Sequence, residues 1–257
     1  MRKPLSQAAP VKLTFLGTGD AFASGGRLQA GYLVENRDTR VLLEAGPSIL
    51  CAMKRRGVAP SELDLICISH LHGDHFGGLP FIFLEYLWES PPRKPIVIAG
   101  PRHLEERAWR LFRTMFPYTS GDLARVKRQL KFIVLEPGLS RQLGRLRVTT
   151  IRTPHTRRDT SLALRLTLDG KVIAFSGDSG WTDDLVPFTA GADLFLCECT
   201  YFESAHLDFH MNYPRLQEQR ERFKVKRMIL THVGREVIAH AKDVRIETAT
   251  DGMEVRA

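Results

Sequence analysis

Apolar positions along the chain fall into short runs separated by longer stretches of helical period, the arrangement of an α/β protein. Residues 11–16 (Val-Lys-Leu-Thr-Phe-Leu) alternate enough for a strand, and Gly17-Thr18-Gly19 breaks it. Those glycines are no dinucleotide fingerprint, because the third glycine position falls on Phe22 and no helix follows. Further strands are expected at 30–35 and 40–44, then a helix over about 47–56 stopped by Gly57. The run Leu65-Ile66-Cys67-Ile68 reads as a strand buried on both faces. A helix from about Phe76 to Trp88 ends before Pro91-Pro92. A strand at 96–99, an amphipathic helix over about 101–115, a loop at 116–121 and a strand at 131–135 follow. Strands at 146–151, 161–168 and 171–176 come next, with Asp169-Gly170 as a hairpin signal. A strand at 193–198, a helix over about 212–223, a strand at 227–230 and a short tail complete the pattern. With no linker, repeat or low-complexity tract, residues 1–257 are expected to form one domain.

Composition adds an apolar content of 43% and a charged content of 26%, enough for a substantial core. No apolar run approaches the roughly 20 residues that span a bilayer. The start, Met-Arg-Lys-Pro-Leu-Ser-Gln, lacks a signal-peptide core, so a soluble cytoplasmic protein without membrane partners is expected. Cys51, Cys67, Cys197 and Cys199 lie mostly in apolar runs, which suits reduced, buried thiols. Cys197 and Cys199 are read as packing on one strand face rather than as ligands.

The net charge of +8 is uneven. Arg102, Arg107, Arg110, Arg113, Arg125, Lys127, Arg128 and Lys131 crowd one segment, best read as a solvated basic helix face. Arg152, Arg157 and Arg158 instead surround His155. Such a field attracts small anionic substrates, including nucleotides and RNA.

The sharpest chemical signal is residues 70–75, His-Leu-His-Gly-Asp-His. A divalent ion needs several donors converging within about 2.0–2.3 Å, and a loop after a buried strand places donors on a rigid scaffold. His70 and His72, two apart on extended backbone, point the same way, while Asp74 and His75 lie past the turn and can serve a second ion. Cysteine-based zinc fingers are excluded by spacing, and no His-Glu-x-x-His helix is present. More donors are due at other strand ends. His155 in Thr-Pro-His, Asp178 in Ser-Gly-Asp-Ser-Gly and His232 in Leu-Thr-His-Val-Gly each follow an apolar strand. Singly each is an ordinary turn residue; together they point to a shared metal centre.

These residues carry a resemblance to the metallo-β-lactamase superfamily, whose His-x-His-x-Asp-His loop is matched by His70, His72, Asp74 and His75. The resemblance implies an αββα sandwich with the metals at one edge of two sheets. It implies that His70, His72 and His155 hold one zinc and Asp74, His75 and His232 the other, with Asp178 bridging. Within the superfamily the chain is similar to ribonuclease Z and its phosphodiesterase relatives over about residues 11–235. Phe15-Leu16-Gly17-Thr18-Gly19 looks like that branch's first strand and turn, and Ala99-Gly100-Pro101 like its central region. Cys197-Glu198-Cys199-Thr200-Tyr201 is similar to its His-Glu-Ala-Thr-Phe segment, which places Glu198 on the family glutamate. His210 stands where that branch keeps a histidine near the phosphate and leaving group, with His206 as the competing candidate. Glu44 stands where the family generally has Asp.

The expected activity is therefore hydrolysis of a small or nucleotide-like phosphodiester by water activated between two zinc ions, with manganese or iron as alternatives. Asp74, His210 and Glu198 are the expected catalytic residues. Ribonuclease Z-type processing of tRNA is set back, because residues 156–177 leave no room for that branch's long arm. Hydrolysis of a carboxylic, thio- or sulfate ester or lactone, and a non-catalytic metal-binding sensor, are the competing readings. The basic, aromatic-bearing segment 101–118 offers a face to a second copy of the chain, a homodimer, as readily as to substrate.

Overall fold

The apolar runs pair into two mixed sheets in the computed structural model, which describes residues 10–203 and 208–257. The first sheet contains β1 (Lys12–Gly17), β2 (Gly31–Glu35), β3 (Arg40–Leu43), β4 (Leu65–Cys67), β5 (Ile96–Gly100), β6 (Leu130–Val134) and β13 (Glu254–Arg256). Its order is β13-β1-β2-β3-β4-β5-β6, antiparallel as far as β3 and parallel from β3 to β6. The second contains β7 (Ser140–Leu143), β8 (Leu146–Arg152), β9 (Leu162–Leu168), β10 (Lys171–Phe175), β11 (Leu194–Glu198) and β12 (Met228–Thr231). Its order is β12-β11-β10-β9-β8-β7, with β10, β11 and β12 parallel.

Alternation sorts each strand between two cores. Tyr32, Val34, Val41 and Leu43 face inward and meet Leu164, Leu166, Phe175 and Leu196 of the other sheet. Leu33, Leu42, Ile66 and Ile98 face outward against α1 (Ile49–Arg55), α3 (Leu79–Trp88), α4 (Leu104–Met115) and α5 (Leu123–Arg128). Ala163, Ala174, Phe195 and Cys197 pack against α6 (Leu185–Thr189), α7 (Tyr213–Gln219) and α8 (Arg235–Ala239). Burial on both faces explains the near-continuous apolar runs. Each fully buried Leu or Phe contributes roughly 1.5–3 kcal/mol by leaving water. The result is the αββα sandwich, helices outside two facing sheets.

Several elements differ from the sequence reading. The segment His70–His75 is not all loop, since α2 (Gly73–Phe76) adds a helical turn carrying Asp74 and His75. Gly77 and Gly78 separate it from α3, and a Cβ on Gly78 would lie 2.2 Å from the Gly46 carbonyl oxygen. The 101–115 helix begins only at Leu104, because His103 sits in the left-handed region at φ 71°. The 212–223 helix is α-helical to Gln219 and then tightens into a 3-10 turn. Strands β7 and β13 and helices α5, α6 and α8 occupy stretches to which the sequence pattern assigns no strand or helix. Cys51 is exposed rather than buried, because α1 turns Ile49, Ala52 and Met53 inward. Cys197 and Cys199 share one core, as their spacing suggests.

Candidate metal centre

Parallel strands β3, β4, β10, β11 and β12, together with β8, end at one edge of the sandwich, and the turn after each delivers a polar side chain. Strand β3 delivers Glu44, β4 the His70–His75 segment, β8 His155, β10 Asp178, β11 Glu198 and Thr200, and β12 His232. The backbone is strained where it turns into the site. Glu44 and His232 both have positive φ, 63° and 52°, a conformation that costs non-glycine residues of order 1–3 kcal/mol and clusters at functional sites. Gly177, at φ 59°, lets the turn before Asp178 pass close to β9; a Cβ there would meet the Leu162 carbonyl oxygen at 2.5 Å.

Three groups of donors converge, each with its ligand atoms within 4.8 Å of one another; the third is Glu198, His210 and His232, and the two larger are His70, His72, His155 and Asp178, and Asp74, His75, Asp178 and His232. Asp178 belongs to both. In the first, His155 Nε2 lies 3.0 Å from His72 Nδ1 and 3.7 Å from Asp178 Oδ2, and His70 Nε2 lies 3.8 Å from that oxygen. In the second, His75 Nε2 is 3.3 Å from both Asp74 Oδ2 and Asp178 Oδ1. His232 Nε2 is 3.2 Å from Asp74 Oδ2 and 3.5 Å from Asp178 Oδ2. His72 alone among these is exposed, so the site opens to solvent there.

The far side of each ring is fixed. His75 Nδ1–H donates to Glu44 Oε2 at 3.0 Å, and Glu44 Oε1 accepts the Ser69 N–H at 2.8 Å. His155 Nδ1–H donates to the Phe209 carbonyl at 2.8 Å. His232 Nδ1–H donates to Thr200 Oγ1 at 3.0 Å, whose own hydroxyl donates to Glu198 Oε2 at 3.0 Å. His70 Nδ1 lies 3.0 Å from Ser69 Oγ. Tethering Nδ1 in His75, His155 and His232 leaves Nε2 as a lone-pair donor toward the cluster, the arrangement that orients metal-ligating imidazoles.

Three buried atoms test whether a cation fits. His70 Nε2, His75 Nε2 and Asp178 Oδ1 are buried without a hydrogen bond, although unpaired buried polar atoms are costly. Burial holds the His70 and His155 imidazoles below their usual range, in the neutral form that ligates. For Asp74, burial opposes the charge, but His75 and His232 outweigh it and hold the carboxyl below the usual range. His75 and His232 shift upward against their burial, chiefly through the field of Asp178. Two buried carboxylates thus hold their charge with only imidazoles beside them, and the donor set fits divalent cations.

His210 and Glu198 lie beside this cluster. His210 Nδ1–H donates to Glu198 Oε1 at 2.8 Å and sits 3.9 Å from Asp178 Oδ2. Burial opposes its charge, yet the Glu198 carboxylate pushes its pKa up to about 9. Glu198, Thr200 and Asn212 leave His210 no helix-capping role: the α7 cap is Asn212, which accepts the Arg215 N–H. Glu198 also accepts the Ser179 and Thr200 N–H groups at 2.9 and 3.1 Å. His206 lies outside the described residues. Of the arginines near His155, Arg157 stacks over the Phe209 ring at 5.8 Å. In the basic segment, Arg107 pairs with Asp159 at 2.8 Å and Arg110 with Glu106 at 3.0 Å, as a solvated helix face would. The sequence reading missed Thr200 and the Phe209 carbonyl as supports. Thr200 beside Glu198 was the available signal, whereas a backbone carbonyl leaves none.

Comparison with known proteins places this geometry. The sequence model described as anti-Pycsar protein Apyc1 matches residues 11–250. A ribonuclease Z of Clostridium novyi is 24% identical over 277 residues, covering 87% of this chain and 89% of that protein. The crystal structure of the metallo-beta-lactamase fold protein YhfI from Bacillus subtilis superposes with a TM-score of 0.76 at 22% identity, covering 96% of this chain and 99% of that one. The short form of human tRNase Z superposes with a TM-score of 0.74 at 24% identity, covering 95% and 98%. The fold is that of the metallo-β-lactamases in its ribonuclease Z-like branch. The chain belongs to the family of the anti-Pycsar protein Apyc1.

Proposed function

We propose that this member of the family is a two-metal phosphodiesterase, hydrolysing small or nucleotide-like phosphodiesters, with zinc as the working ion. His70, His72 and His155 would hold one ion, Asp74, His75 and His232 the other, and Asp178 would serve both. Divalent ions so held would supply activation of water and offset charge on phosphoryl oxygens. The chain's own residues supply the remainder. Asp74, kept ionised, accepts the attacking water's proton on its carboxylate. His210, oriented by Glu198, directs a protonated ring at the cluster, where it neutralises a phosphoryl oxygen or protonates the leaving oxygen.

The His210–Glu198 pair carries the reading, because a half-buried imidazole hydrogen-bonded to a buried carboxylate, 3.9 Å from the shared Asp178, suits an anionic diester more than a neutral ester. The relatives named for ribonuclease and tRNase activity support it. Between His155 and Asp178, strands β9 and β10 take up residues 162–175, leaving no length for an arm that grips tRNA. A single compact substrate therefore fits better than a folded RNA.

Metal analysis paired with an assay on bis(p-nitrophenyl) phosphate tests this. The protein should bind about two zinc ions and cleave the diester, and Asp74→Ala should lose about 10²–10⁴-fold, the range for a proton-transfer group. Metal-replete protein that ignores phosphodiesters but cleaves a lactone, thioester or aryl sulfate would reassign the site to those esters.

A further inference from the structure

Phe22 is 84% exposed, the most open large apolar side chain among the described residues. An aromatic ring left in water forgoes the stabilisation that burial gives. Yet the loop that carries it is firmly built. Asp20, only 3% exposed, accepts the N–H of Phe22 at 3.2 Å and of Ser24 at 2.9 Å, and the Ser24 hydroxyl at 2.8 Å. Arg27 Nη1 donates to Thr18 Oγ1 and to the Ala249 carbonyl, both at 2.7 Å. Gly25 packs beside Ile238 of α8.

Both feet of this loop stand on segments that carry candidate ligands. On one side Gly19 bridges to Val233, and the Val233 N–H donates to the Thr18 carbonyl at 3.1 Å, directly after His232. On the other, Gly46 is wedged between Gln29 and the Asp74 carbonyl: a Cβ there would meet them at 2.8 and 2.5 Å. The loop thus rests its feet on the segment that follows His232 and, through Gly46, on the Asp74 segment, both belonging to the group formed by Asp74, His75, Asp178 and His232. Its tip is a ring without charge or hydrogen-bonding group, held on ordered backbone.

We propose that Phe22 is the stacking platform for the base of a nucleotide-like diester and selects such substrates over simple alkyl diesters. This rests on the phosphodiesterase reading for the reaction, though not for the binding. A flat ring with only two side-chain torsions, carried on fixed backbone, stacks on the π-face of a base at little ordering cost. Stacking far from the reacting phosphorus acts in the ground and transition states alike, so it appears in KM and not in kcat.

The experiment compares thymidine 5′-(p-nitrophenyl phosphate) with methyl p-nitrophenyl phosphate, which share a leaving group and differ in the nucleoside. Phe22→Ala should raise KM about 10-fold for the thymidine ester alone, as the loss of one base–aromatic stack predicts. Phe22→Leu should behave like Phe22→Ala, and Phe22→Trp like the unsubstituted protein. Titration calorimetry of the zinc-loaded proteins with thymidine 5′-monophosphate and with inorganic phosphate gives a readout independent of turnover. Phe22→Ala should weaken only the nucleotide, again about 10-fold. Equal effects on both ligands, or none, would overturn the proposal. So would an altered oligomeric state with unchanged nucleotide affinity, which would make the ring a contact between copies. If nucleotide binding depends on Phe22 but no diester is cleaved, the stacking role stands and the reaction assigned above falls.

Discussion

Carboxylates at the two ends of the strands keep opposite company. At the far end, Asp193 takes Lys226 Nζ at 2.7 Å with Lys171 at 3.7 Å, Asp169 takes Arg145 at 2.8 Å, and Glu35 takes Lys12 at 2.8 Å and Arg40 at 3.1 Å. At the near end, Glu44, Asp74, Asp178 and Glu198 have no lysine or arginine partner among the described residues; imidazoles, a hydroxyl and N–H groups surround them. Burial without a permanent cation is expensive, and a fold keeps it only where something else supplies the charge. The far end is electrostatically finished by the chain itself. The near end is finished by what it binds.

The largest test of that contrast is Asp178→Asn. Zinc at 100 times its dissociation constant should stabilise the unsubstituted protein by about 2.7 kcal/mol. The substitution removes the carboxylate shared by both groups, so that gain should vanish and diester cleavage should fall to background. Melting curves with and without zinc, alongside metal analysis, check this; a variant that still holds two ions would break the comparison. Glu44→Gln is expected to be next. It leaves the Ser69 N–H an acceptor but removes the charge behind His75, and support of this kind is typically worth 10–100-fold in metal affinity. Competition against a chromogenic chelator should show one site weakened by about that factor and the other unchanged. Glu198→Gln should leave both sites loaded and lower kcat about 10-fold, because it acts on His210 directly and reaches His232 only through the Thr200 hydroxyl. Loss of metal in that variant would show that Thr200 and His232 depend on Glu198 for more than orientation.

Much of the near end was legible because its chemistry is local. His70, His72, Asp74 and His75 lie within six residues, and His155, Asp178 and His232 each follow an apolar run that could only be a strand. The two-faced burial of β4 was readable in its unbroken apolar run, Leu65-Ile66-Cys67-Ile68. What stayed hidden depends on distant partners. Strand β7 (Ser-Arg-Gln-Leu) is an exposed edge with no alternation, and β13 exists because it pairs with β1 at the other end of the chain. The 20–28 loop could be named from sequence only as one of several loops that choose the substrate, and it takes the Gly19–Val233 and Gly46–Gln29 contacts to bring its feet to the His232 and Asp74 segments. Cys51 shows the reverse error, where an apolar neighbourhood in sequence became a solvent face once the helix was wound.

The smallest expected effect lies at the far end, where the comparison predicts ordinary surface behaviour. Burial opposes the charge of Asp193, but Lys226, the Val172 N–H and Lys171 outweigh it and lower its pKa from the usual 3.8. A carboxyl whose pKa falls on folding contributes stability that is complete above the unfolded value and is lost as pH drops through the folded one. Asp193→Asn should therefore cost no more than about 1 kcal/mol near pH 7, given solvent screening of the exposed lysines, and nothing at a pH below both values. Denaturant titrations at pH 7 and at acidic pH measure the difference. Metal content and turnover should stay at their unsubstituted values, because Lys171 and Lys226 remain in solvent without a buried charge to answer. If Asp193→Asn altered zinc uptake, the two ends would be coupled through β10 and β11, and the separation of a self-neutralised end from a cation-requiring end would no longer hold.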